Sequence, residues 1–176
     1  MTAMTQQDNF GSLSDGSILT LRRWLPGPAS RIWRYLTDSD LRSRWLASGD
    51  MPLAPGATFE LVWRNDSLSH GGDPRPEGFP EEQRMTSHVV AIDPEKLLTF
   101  AWGDGTVTFE LTEKDDRVLL TVTHRGLKDA NARVMIAAGW HIHVDILTDL
   151  VMERQAESFW SGWQRLRGEY SARLPN

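Results

Sequence analysis

Residues 97–124 read LLTFAWGDGTVTFELTEKDDRVLLTVTH, and this stretch decides the fold. Leu98, Phe100 and Trp102 fall on one face of a period-two pattern, and Val107, Phe109 and Leu111 on one face of the next. Val118, Leu120, Val122 and His124 mark a third. Alternation of this kind signals half-buried strands, because successive side chains point to opposite sides of a sheet. Gly103-Asp104-Gly105 and Asp115-Asp116 separate the runs with residues suited to tight turns. The stretch therefore predicts an antiparallel meander with one apolar face.

Downstream, the period changes. Ile136, Trp140, His143, Leu147 and Leu150 recur at spacings of three and four, the stripe of an amphipathic helix. Residues 152–157 lack the pattern. Phe159, Trp163, Leu166, Tyr170 and Leu174 then form a second stripe, expected to pack against the rest of the domain or against a second copy in a homodimer. Upstream, Phe59, Leu61 and Trp63 alternate as one more strand, and strand character runs from Gln83 to Ile92. Between them, residues 65–82 (NDSLSHGGDPRPEGFPEE) are rich in Gly and Pro with few apolar anchors, which predicts a mobile, exposed hairpin loop.

Nearer the N-terminus, SILTLRRW (residues 17–24) reads as a strand, and Pro26, Gly27 and Pro28 break it. Ala29, Ile32, Trp33 and Leu36 share a helical face, Thr37 to Asp40 offers caps, and Leu41 with Trp45 marks a second short helix. Residues 1–15 are polar and read as a flexible tail before a single domain over 16–176. A strand, two short helices, a run of strands and a long helix predict an α+β helix-grip fold. In it, a curved antiparallel sheet of about six strands wraps one long C-terminal helix.

Composition limits the function. The chain has 176 residues, net charge −5, 40% hydrophobic and 24% charged residues, which is ordinary for a soluble domain and argues against a nucleic-acid partner. With no cysteine there is no disulfide, thiolate metal site or cysteine nucleophile. The N-terminus lacks the apolar core of a signal peptide, and no stretch reads as a membrane span, so a cytoplasmic protein is expected.

The candidate metal ligands are His141, His143, Asp145 and Asp149. On a helix, His141 and His143 point about 200° apart, so they cannot share an ion. His141 and Asp145 face one another at i, i+4 and read as a surface pair. No metal or cofactor is therefore expected. No serine stands in a strand–turn–helix elbow, and no paired-carboxylate site assembles, so no catalytic residue is assigned. What remains is aromatic. Eight tryptophans are many for this length. Strand parity and the helical stripe place Trp45, Phe59, Trp63, Met85, Trp102, Phe109, His124, Trp140 and His143 on facing surfaces. They are expected to line or border one cavity, either as core filling or as a site for a small hydrophobic or aromatic ligand.

Several stretches carry a resemblance. PGPASRIWRYLTDSDLRSRWLA (residues 26–47), FELVWRN (59–65), EEQRMTSHVVAIDPEKLLTFAWGDGTVTFEL (81–111), AAGWHIHVDIL (137–147) and FWSGWQRLRGEYSARL (159–174) resemble the START-like helix-grip superfamily. The nearest resemblance is to bacterial homologues of the activator of the heat-shock-protein-90 ATPase. The AxGWxxHxDxL core and the WGDG turn are its most specific parts. The resemblance implies a helix-grip fold and a range of functions: hydrophobic-ligand carriers, cyclases, dehydratases and chaperone regulators. Non-enzymatic ligand binding is the leading expectation. A stress-related module that contacts a chaperone or regulator is the alternative, and an enzyme on an apolar substrate is the third.

Overall fold

A computed structural model describes residues 9–175. Its elements are β1 (Ser12–Ser14), β2 (Ile18–Pro26), α1 (Ala29–Thr37), α2 (Ser39–Ser43), β3 (Thr58–Trp63), β4 (Gln83–Asp93), β5 (Leu97–Trp102), β6 (Gly105–Lys114), β7 (Arg117–Arg125), α3 (Ala130–Val151) and α4 (Phe159–Arg173). The strands form one seven-stranded antiparallel sheet in the order β1-β2-β7-β6-β5-β4-β3. The meander β5–β6–β7 holds the register that its turns demand, with Phe100 opposite Val107 and Phe109 opposite Val122. A bulge between Val89 and Ala91 shifts the register of β4 on β5, so that Val89 faces Phe100 and Ile92, not Ala91, faces the buried Leu98.

The seventh strand lies in the stretch that composition assigns to the tail. Ser12–Ser14 pairs with β2 through a turn at Asp15 and Gly16, both with positive φ. Asp-Gly is a hairpin signal, and it is masked by the polar residues around it. Residues 1–8, also assigned to the tail, lie outside the described residues.

Helices α1 and α2 pack at one end of the sheet. Asp38 caps α2 by accepting from the Leu41 N–H at 3.1 Å. The guanidinium of Arg42 is buried and donates to the carbonyls of Leu36, Thr37, Ala47 and Gly49. These bonds satisfy carbonyls at the end of α1 and hold the chain that leads Trp45 and Leu46 into the core.

Helix α3 is buried over more than one stripe. Trp140 and Leu147 are buried, and so are Ala138, His141, Ile142 and Ile146 on its other sides. The reason is α4, which covers the side that the sheet leaves open. The helices approach closely at Gly162, where a Cβ would stand 2.4 Å from the Ile142 Cδ1. The packing bears on the one segment among the described residues whose length suits a membrane. With 22 residues α3 is long and apolar enough to cross a bilayer by length and composition, and here the protein itself buries it as the core helix.

Residues 65–82 are not a free loop. They begin with a short 3-10 turn (Asn65–Leu68) and then run as a strap across the start of α4. Trp160 Nε1–H donates to Asp66 at 2.8 Å, and the His70 N–H donates to Ser158 Oγ at 2.8 Å. The Asp73 carboxylate accepts from Ser158 Oγ–H and from the Ser161 N–H. Phe79 packs on Trp160 and Trp163, with centroids 5.5 and 5.1 Å away.

Candidate ligand-binding cavity

The strap, the ends of β3 and β5, α3 and α4 line a half-open cavity of about 230 Å³. Each wall follows from local pattern. Trp63 and Trp102 close the inward faces of their strands and meet edge to face at 5.2 Å. From α3 come Met135, Ile136, Gly139, Trp140 and His143, and from α4 come Phe159, Trp160 and Trp163. Leu46, Asn65, Phe79 and Gln83 complete the lining. Gly139 matters for volume, since a Cβ there would meet nothing within 4 Å. The lining carries no Lys, Arg, Asp or Glu.

Of the nine residues singled out by parity and stripe, the structure puts Trp63, Trp102, Trp140 and His143 on the cavity wall. The other five stand behind it. Trp45 is fully buried beside Phe109, and its indole N–H donates to the Tyr35 carbonyl. Phe109 supports Trp140 edge to face at 5.7 Å, and Phe59 packs on Phe100. Met85 is half-buried against the same core. His124 supports two wall residues: its ring lies 5.0 Å from Trp102, and its Nδ1 accepts from Trp140 Nε1–H at 3.0 Å.

His143 is the one titratable side chain on the lining. Its Nδ1 lies 2.6 Å from the Trp45 carbonyl, which can only accept, so Nδ1 carries the proton. Burial pushes its pKa down to about 4, against the opposing effect of that bond. Burial also pushes His124 down to about 4. Both rings are neutral at pH 7.

The wall residues that pattern reading passes over are chiefly those of α4 and the strap. Trp160 and Trp163, three apart, were a legible signal for a helix face. Phe79 and Asn65 were not, because their neighbours in sequence are polar loop residues.

His141 and Asp145 belong elsewhere, and not on the surface as their spacing suggests. They join a largely buried network on the far side of α3. Asp145 accepts from Arg23 Nη2–H at 2.9 Å and lies 3.3 Å from His141 Nε2. His141 Nδ1 meets the Tyr170 hydroxyl at 2.8 Å, and that hydroxyl accepts from the Gly11 N–H at 2.7 Å. Helix α4 and the incoming N-terminal segment bury the pair. The network links β2, α3, α4 and the segment before β1. Among the described residues, no group of three or more His, Asp or Glu side chains could hold a metal ion.

A curved antiparallel sheet gripping a long helix, with an aromatic cavity between them, defines a START-like helix-grip protein. Residues 26–152 match the family described as Activator of Hsp90 ATPase homolog 1-like protein, and the chain belongs to that family. No curated protein matches it in sequence. Among solved structures it is similar to a Bordetella parapertussis protein determined by NMR, with 30% identity, 96% of this chain and 92% of that one covered, and a TM-score of 0.79. CalU16 from Micromonospora echinospora shares the fold at 18% identity, with 93% of each chain covered and a TM-score of 0.64. DynU16, from the dynemicin biosynthetic locus, does so at 19% identity, with 82% of this chain and 51% of that one covered and a TM-score of 0.61.

Proposed function

We propose that this chain binds a small, ring-containing, largely apolar molecule in the cavity between sheet, α3 and α4, without transforming it. The observation that carries the reading is the lining itself: aromatic on three sides and free of charged side chains, with few polar groups. Ligand sites have this composition, since apolar walls supply affinity and a few polar atoms fix orientation. A volume of about 230 Å³ suits a molecule of one or two fused rings better than a long acyl chain. Binding is favoured over catalysis because the wall's one titratable group, His143, is weakly basic and held by a backbone carbonyl.

A thermal-shift screen of mono- and bicyclic aromatics against fatty acids tests this. An occupant at a hundred times its Kd should add about 2.7 kcal/mol of stability. The control is Gly139→Leu, whose side chain enters open space in the cavity and should leave the fold intact. Stabilisation of native protein and loss of that effect in Gly139→Leu is the expected result. Equal stabilisation of both would place the ligand elsewhere.

A further inference from the structure

Residues 9–14 cover a buried polar network that the cavity does not use. Arg23 Nη1–H donates to the Asn9 carbonyl, and the Gly11 N–H donates to the Tyr170 hydroxyl at 2.7 Å. That amide can only donate, so the hydroxyl proton is left for His141 Nδ1, 2.8 Å away. In the neutral ring the imidazole proton then sits on Nε2, 3.3 Å from Asp145, whose carboxylate Arg23 also holds. Burial pushes the Tyr170 pKa up to about 12, so its proton stays in this chain of bonds at ordinary pH. The Phe10 ring closes the network. It lies 4.8 Å from His141 and 5.2 Å from Tyr170, and the Arg173 guanidinium stands over it, 3.6 Å from its centroid. Tyr170 and Arg173 both belong to the last turns of α4.

Little else holds the segment. Strand β1 is three residues long, Ser12 and Ser14 are exposed, and β1 joins β2 by the tight turn at Asp15 and Gly16. Beside it runs a half-open groove of about 1020 Å³ with Asn9, Phe10, Arg23, Asp145 and Arg173 on its walls, so solvent reaches the edge of the network. The groups beneath the segment are a guanidinium, a carboxylate, an imidazole and a phenol. Such groups regain hydrogen bonds from water when uncovered, whereas apolar side chains would lose their burial outright. Uncovering them therefore costs less than opening the apolar core around α3. We propose that residues 9–14 are a displaceable latch on α4. Seated, they hold its C-terminal end through Tyr170 and Arg173. Lifted, they free that end and open Arg23, His141 and Tyr170 to solvent. The strap ties the other end, so α4 is held by Asp73 at its start and by Gly11 at its finish. The latch stands whether or not the cavity takes a ligand.

Amide hydrogen exchange on the full chain, read against the urea stability of each variant, tests the latch. Tyr170→Phe keeps the ring and deletes the hydroxyl, so exchange of the Gly11 amide should rise about tenfold, the effect of one lost hydrogen bond. Phe10→Ala acts from the other side and should speed exchange in the last two turns of α4 by a similar factor. Gly11→Val reaches the same outcome without touching a ring contact. A Cβ at Gly11 would stand 2.9 Å from Leu19 Cδ1 and 3.4 Å from the Tyr170 oxygen, so the larger side chain wedges the segment away. The coupling should run both ways, since both ends share one equilibrium. Exchange in β5, β6 and β7 should change no more than the global stability does. An unchanged end of α4 in both Phe10→Ala and Gly11→Val would overturn the latch, as would an unchanged Gly11 amide in Tyr170→Phe. Faster exchange across the whole sheet in step with α4 would also overturn it, because the segment would then be part of one cooperative core.

Discussion

At the scale of single residues, His124 and His143 couple the cavity wall to pH. Burial holds both near a pKa of about 4, whereas in the unfolded chain each titrates near the ordinary 6.5. Between those values the unfolded state binds protons that the native state refuses. Their contribution to stability is therefore fully present above about pH 6.5, declines as pH falls, and is gone below about 4. Each ring accounts for at most about 3 kcal/mol across that window. The urea midpoint should fall steadily from pH 6.5 to 4, and His124→Leu should flatten part of the slope. The same substitution leaves the buried Trp140 N–H without its acceptor, which should cost about 1–3 kcal/mol at pH 7. A midpoint unchanged between pH 7 and 4.5 would show that water reaches the rings. Asp145 adds to the trend at lower pH. Burial alone would raise its carboxyl, but His141 and Arg23 outweigh this and hold it below the usual range. Strand parity alone put His124 on the inner face. Its bond to Trp140 was not legible, because it depends on how α3 is rotated above the sheet.

At the scale of elements, the strap and α4 show where sequence reading stops. The meander, the two short helices and the long helix were legible because each writes its own period into adjacent residues. The strap writes none. Its Gly and Pro content describes a chain free to move, yet Asp66, Ser69, His70 and Asp73 each bond to the segment at the start of α4. Those partners lie more than 80 residues away in sequence, a separation no local pattern can span. The anchoring predicts that native protein resists protease within residues 65–82. Asp73→Ala removes the acceptor shared by Ser158 and Ser161 at the α4 N-terminus and should accelerate cleavage there several-fold. Phe79→Ala should do the same by removing the ring that sits between Trp160 and Trp163. Ligand should slow cleavage in native protein, because Phe79 and Asn65 form part of the wall it would touch. Identical cleavage rates in native protein and both variants would mean that these contacts do not hold the strap.

At the scale of the whole molecule, the family match ends at residue 152, yet the cavity does not. Phe159, Trp160 and Trp163 form one of its walls, and Tyr170 closes the network around His141. The sheet and α3 alone are a trough with an apolar helix lying in it. Helix α4 and the strap, which lie C-terminal to the match or in its least patterned segment, add walls that turn the trough into a half-open pocket. Burial of Phe159, Trp160 and Trp163 is worth about 3–5 kcal/mol each by the cost of truncating such rings. Together they rival the whole stability of a typical domain, about 5–15 kcal/mol. A chain ending at Met152 should therefore not survive as a smaller folded unit, although it retains every residue of the family match. Its α3 would expose Ile142, Ala138 and Ile146, now buried, on a helix of membrane-spanning length. The expected result is a protein that binds an apolar dye such as ANS, associates with detergent, and has no cooperative urea transition. A sharp transition in the truncated chain, with fluorescence and far-UV circular dichroism coinciding, would show instead that α4 is an accessory laid on a complete fold. The cavity would then be a feature of a surface rather than of a core.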